Sequence, residues 1–89
     1  MKAVIKNIQN NTSFIINDGN TVFIGRDSGN DIVIDDLNVS RKHACIYYKN
    51  GKLYCVSFGK NGTFINKSII RNDLEHTIHK DDLIQEMYL

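Results

Sequence analysis

The chain has 89 residues, 42 % hydrophobic and 24 % charged, with 11 Lys and Arg against 10 Asp and Glu for a net charge of +1. That length holds one domain with one modest core, and near-neutrality excludes a general electrostatic grip on nucleic acid or anionic membrane. No apolar run approaches the roughly 20 residues that cross a bilayer, and the N-terminus lacks the apolar stretch of a secretory signal, so a cytoplasmic protein with no direct membrane insertion is expected.

In chain order, β-prone runs between Asn, Asp and Gly clusters predict strands near 2–8, 13–16, 21–25, 32–34, 43–49, 52–58, 63–66, 76–78 and 83–87. The breaks fall at 9–12, 17–20, 27–31, 35–41, 50–51, 59–62 and 67–75. Turn residues roughly every 8–12 positions fit an all-β sandwich better than a helical or α/β fold. Residues 72–79 offer only Leu74 and Ile78 as apolar positions, too few for an amphipathic helix.

Asn50-Gly51 reads as the centre of a tight hairpin. In that register Lys49 opposes Lys52, Ile46 opposes Cys55 and Cys45 opposes Val56. Side chains alternate faces along a strand, so Ala44, Ile46, Tyr48, Leu53, Cys55 and Ser57 share one face. Cys45, Tyr47, Tyr54 and Val56 share the other. The two sulfurs then point to opposite sides of the sheet, which predicts buried free thiols rather than a disulfide. Their ten-residue separation also misses zinc-ligand spacing.

Three stretches carry the chemistry. Ile24-Gly25-Arg26 ends a strand. Val39-Ser40-Arg41-Lys42-His43-Ala44 leads a loop into the next strand. Lys60-Asn61-Gly62-Thr63-Phe64-Ile65-Asn66 does the same later. Each is common alone. A planar guanidinium grips two oxygens of a phosphate, a serine hydroxyl donates with little entropy to lose, and nearby cations add charge.

In this order and spacing the three stretches closely resemble the forkhead-associated (FHA) domain, whose marks are Gly-Arg, then Ser-x-x-His, then Asn-Gly-Thr. The resemblance runs from about Phe23 to Ile84 and takes in the late Asp81-Asp82-Leu83-Ile84. It implies an all-β SMAD/FHA-type sandwich of two mainly antiparallel sheets with about 10–11 short strands, and one domain over residues 1–89. The last strand is expected short or missing, and the chain is either whole or a module of a longer protein.

The resemblance also implies a site in loops at one end of the sandwich. Arg26 and Ser40 match the main phosphate-contacting positions, Arg41 a variable position at the phosphate or peptide, and Asn61 the asparagine that holds the peptide backbone. Gly25, His43, Gly62 and Thr63 match structural support. Where the family usually has Ser-Thr before Asn-Gly, this chain has Gly59-Lys60, so Lys60 either brings a charge to the phosphate or points to solvent. The implied partner is a phosphothreonine-containing protein or peptide, with specificity helped by a small pocket for the threonine methyl.

Ser40 and His43 do not make a catalytic pair, since no third group or nucleophile elbow accompanies them. No enzyme activity, cofactor or metal is expected. His76 and His79 with Asp81 and Asp82 are a weak metal pattern, and Asp73, Glu75, Asp81, Asp82 and Glu86 read as a solvated surface. Asp35 and Asp36 are candidates to orient Arg41 or Lys42. The basic loop residues form a spot rather than a stripe, against nucleic acid. The leading function is phosphothreonine recognition; the alternative is phosphate-independent assembly through a sheet surface. The oligomeric state is not legible, with a monomer favoured.

Overall fold

A computed structural model of the chain describes residues 2–7, 11–79, 82–84 and 87–88. Among them are eleven strands and no helix: β1 (Lys2–Asn7), β2 (Thr12–Asn17), β3 (Thr21–Gly25), β4 (Ile32–Val33), β5 (Ala44–Lys49), β6 (Lys52–Ser57), β7 (Thr63–Ile65), β8 (Ser68–Ile70), β9 (His76–Ile78), β10 (Leu83–Ile84) and β11 (Met87–Tyr88). They form a six-stranded sheet ordered β2-β1-β11-β10-β7-β8 and a five-stranded sheet ordered β4-β3-β5-β6-β9. The β3–β4 pair is parallel. The all-β sandwich expected from the sequence is therefore present.

Burial of one face of each sheet holds the sandwich together. Ile5, Ile16 and Ile84 from the first sheet meet Val22, Ile24, Ile46, Leu53, Cys55 and Ile78 from the second in one buried cluster. The β5–β6 hairpin has the register read from Asn50-Gly51, with Lys49 opposite Lys52, Ile46 opposite Cys55 and Cys45 opposite Val56. Asn50 at φ 55° and Gly51 at φ 75° give the two left-handed residues of a type I′ turn. Both cysteines are free and buried, on opposite faces of the hairpin as expected. Cys45 is covered on the outer face, where its registered neighbours are Phe23 and Val56.

Most strand ends fall within a residue of the sequence reading, and two strand assignments differ from it. The break expected at 67–75 contains strand β8, which pairs with β7 through Thr63–Ile70, Phe64–Ile69 and Ile65–Ser68. Asn66 and Lys67 both have positive φ, 51° and 68°, and turn that hairpin without glycine. The single strand expected at 83–87 is two strands that pair antiparallel, Leu83 with Tyr88 and Ile84 with Met87. β11 in turn pairs antiparallel with β1. Ile8, Asp81 and Glu86 lie outside the described residues, so the expectations placed on them stand apart from this fold.

Candidate functional site

Three loops meet at one end of the five-stranded sheet: residues 26–31 after β3, 34–43 before β5, and 58–62 between β6 and β7. Backbone hydrogen bonds tie them together. Arg26 N–H donates to Ser40 O at 3.0 Å, Asp27 N–H to Arg41 O at 3.2 Å, His43 N–H to Ile24 O at 2.9 Å and Phe58 N–H to His43 O at 2.7 Å. Loops bonded this way present side chains without much freedom to recoil.

The glycines explain how close the loops come. A Cβ on Gly25 would lie 2.1 Å from the Arg41 carbonyl oxygen, so a side chain there would force the first two loops apart. A Cβ on Gly59 would lie 2.2 Å from His43 Cε1.

His43 is the pin of the site. The residue is only 2 % exposed. Nδ1 accepts from Ser40 N–H at 3.0 Å, and Nε2 faces Gly62 O at 2.7 Å. A carbonyl oxygen cannot donate, so the proton sits on Nε2 and donates to Gly62. One neutral imidazole thus joins the second loop to the third.

Around this pin the sequence-identified residues converge. Arg26 is half-buried and its Nε donates to Val39 O at 3.1 Å. That bond orients the guanidinium and leaves its two terminal nitrogens without a partner among the described residues. The Ser40 hydroxyl oxygen accepts Lys60 N–H at 2.9 Å, so its proton remains available to donate. Asn61 Nδ2 donates to Asn38 O at 3.1 Å, leaving the amide oxygen as a free acceptor. Arg41 and Lys60 have exposed side chains. Lys60 enters the site through its backbone, since the N–H rather than the ammonium contacts Ser40.

Gly62 has φ +82°, a conformation L side chains rarely adopt. Thr63 is 1 % exposed, and its hydroxyl lies 2.7 Å from that of Ser57. Ser57 donates its own proton to Asn72 Oδ1 at 2.8 Å, so Thr63 is the donor to Ser57. Asn72 Nδ2 in turn donates to Gly59 O at 3.1 Å. This chain, buried at Ser57 and Thr63, anchors the base of the third loop.

The sequence reading missed four participants: Asn30, Ser57, Gly59 and Asn72. Asn30 Nδ2 donates to Arg41 O at 2.6 Å and Asp27 O at 2.9 Å, bracing the first loop against the second. In sequence it sits in a Gly-Asn-Asp run that signals only a turn. Asp35 and Asp36 do not pair with Arg41 or Lys42 among the described residues; Asp36 Oδ1 instead accepts Asn38 N–H at 2.8 Å.

The perturbed titrations lie elsewhere. Burial, and then the neighbouring Cys45, push the Cys55 thiol up to about 12. Burial and the hydrogen bond to Glu75 push the Tyr47 phenol up to about 12. The bonds from Tyr47 and Lys49 hold the Glu75 carboxyl below its usual range. Tyr47, Lys49 and Glu75 staple the outer face of the five-stranded sheet, while Cys55 lies in the core between the sheets. No cluster of metal-ligating side chains occurs among the described residues, nor any helix long and apolar enough to cross a membrane.

The profile of the FHA domain matches residues 22–85, spanning all three loops. The glycogen accumulation regulator GarA of Mycolicibacterium smegmatis is 37 % identical over 65 residues, covering 72 % of this chain and 41 % of that protein. The oxoglutarate dehydrogenase inhibitor of Corynebacterium jeikeium is 36 % identical over 88 residues, covering 91 % of this chain and 60 % of that one. The chain thus spans less than two thirds of either relative. The structure of Mycobacterium tuberculosis EmbR in complex with a low-affinity phosphopeptide superposes with a TM-score of 0.83 at 26 % identity, over 98 % of this chain and 23 % of that one. The matched profile, the shared sandwich and the three loops joined at one rim lead to one assignment: this chain belongs to the FHA domain family.

Proposed function

We propose that the chain is a non-catalytic reader of phosphothreonine in a partner protein, and that residues 1–89 act as one FHA unit. The observation that carries this is the pattern of unspent hydrogen-bonding groups at the rim. Two terminal guanidinium nitrogens of Arg26, the proton of Ser40 and the amide oxygen of Asn61 lack partners among the described residues, while the atoms behind them are bonded to backbone. A phosphate ester with charge of about −1.5 to −2 and three acceptor oxygens is the complement of such donors. Arg41 and Lys60 stand by with exposed cations. Asn61 then holds a peptide N–H beside the phosphothreonine. The phosphopeptide held by EmbR supports the reading, as does the general mode in which arginine-bearing loops of FHA domains recognise phospho-motifs.

The test is calorimetry with a phosphothreonine peptide, its unphosphorylated twin and its phosphoserine twin. Binding of the first, none of the second and weaker binding of the third are expected. The lost methyl weakens the phosphoserine peptide by about 1 kcal/mol.

A second reading has its own observation. The outer face of the five-stranded sheet carries a registered row Phe23–Cys45–Val56, and Phe23, Val33 and Phe58 remain 42–44 % exposed. An assembly contact there would work without phosphate. NMR shifts on that face, with the three loops silent, would favour it for a given partner.

A further inference from the structure

The β7–β8 hairpin places Thr63 opposite Ile70. The next residue on each side of that pair is Gly62, in the third site loop, and Arg71, directly past the end of β8. Asn72 follows and is fixed by two bonds, to Ser57 Oγ and to Gly59 O. Arg71 thus lies between the end of a strand pair and an anchored asparagine, and Gly62 N–H closes the turn before β7 onto Gly59 O at 3.0 Å. That turn carries Lys60 and Asn61. Ser40 and Asn38 bond it from the side of the second loop; Asn72 bonds it from the opposite side.

Both Arg71 and Lys60 are exposed, and neither has an ion-pair or hydrogen-bond partner for its side chain among the described residues. Asp73 is the acidic residue closest to Arg71 in the chain, and its own N–H is tied to Ser57 O. A cation on a fixed backbone with no acid engaged gives direction to an incoming charge.

We propose that Arg71, with Lys60 as a second exposed cation on the 59–62 turn, is a specificity determinant that favours an acidic side chain, Asp or Glu, flanking the phosphothreonine. This rests on the phosphothreonine reading above. A peptide anchored by its phosphate at Arg26 and Ser40 and by its backbone at Asn61 runs over the 59–62 turn, and a carboxylate on the far side meets the Arg71 guanidinium.

The test compares phosphothreonine peptides that carry Glu or Gln at successive flanking positions. At one of them Glu binds tighter than Gln by about threefold to tenfold at low salt, the scale of solvent-screened ion pairs. The ratio falls toward one in Arg71→Gln and inverts in Arg71→Glu, and it shrinks as salt is added. Equal binding of Glu and Gln peptides at every position overturns the proposal while leaving phosphothreonine recognition standing. A Glu advantage that survives unchanged in Arg71→Gln overturns the assignment to this residue. Failure of every phosphopeptide, with or without Glu, removes both readings together.

Discussion

The Lys60 backbone N–H donates to the Ser40 hydroxyl oxygen at 2.9 Å, joining two loops whose contacting residues are 20 positions apart in the chain. This bond fixes the position of the Ser40 oxygen against the third loop. With one lone pair taken by the amide, the Ser40 hydroxyl still keeps its proton to donate. The lysine that departs from the family pattern thus serves the site through its main chain.

Arg26→Ala is expected to weaken phosphopeptide binding by roughly 2–5 kcal/mol, the cost of removing one partner of a desolvated charged pair. Arg26→Lys recovers only part, because an ammonium lacks the fork and loses the Nε bond to Val39 O. Calorimetry reads both. Unchanged affinity in the alanine variant would remove Arg26 from the site.

Ser40→Ala deletes a donor to the ligand and an acceptor for Lys60 N–H. Affinity is expected to fall by about 1–3 kcal/mol, as for a hydrogen bond to a charged group. Stability falls less, since the Lys60 amide is near solvent. A melting curve alongside the titration separates the two effects.

Gly59→Ala tests the pin. The added methyl meets the His43 ring at 2.2–2.6 Å, and the ring is buried between two loops. A loss of about 1–3 kcal/mol is expected from overpacking, with displacement of the Ser40 amide resonance because His43 Nδ1 holds that N–H. An unmoved Ser40 resonance would contradict the linkage.

Asn72→Ala leaves the Ser57 hydroxyl and the Gly59 carbonyl without their partner. Ser57 is 0 % exposed, so a cost of about 1–3 kcal/mol is expected in chemical denaturation. Phosphopeptide affinity falls with it, because the third loop loses its anchor.

At alkaline pH the buried thiol sets a direction. Cys55 is held protonated, with its pKa raised from 9.0 to about 12 by burial first. The stability this contributes is fully present below pH 9 and is lost as pH rises from 9 toward 12. Tyr47, raised from 10.0 to about 12, adds to the same fall. Melting temperatures measured across that window should decline, and less steeply in Cys55→Ala compared with its own value at pH 8. Both thiols should resist alkylation near neutral pH until the protein unfolds.

How much was legible follows from the range of each interaction. The Asn50-Gly51 hairpin is local: a type I′ turn dictates the partner of every residue on either side, so its buried face and the separated cysteines could be read directly. The order Gly25-Arg26, Ser40-x-x-His43, Asn61-Gly62-Thr63 was equally visible, because each motif is short. Strand β8 was hidden because Asn66 and Lys67 turn the chain without the glycine that usually marks such a hairpin. The division of 83–87 into two strands was hidden for a related reason: two short apolar pairs so close together look, in sequence, like one longer strand.

By itself the sequence determined a β-rich chain, the register of its central hairpin and the residue types carried by the three rim loops. Tertiary structure alone decided which atoms of that rim are spent and which are left over. His43 bridges to Gly62 across 19 positions, Asn61 to Asn38 across 23 and Asn30 to Arg41 across 11. Such bonds depend on loops brought together by sheet pairing and core burial far from the motifs, and no local pattern encodes that distance.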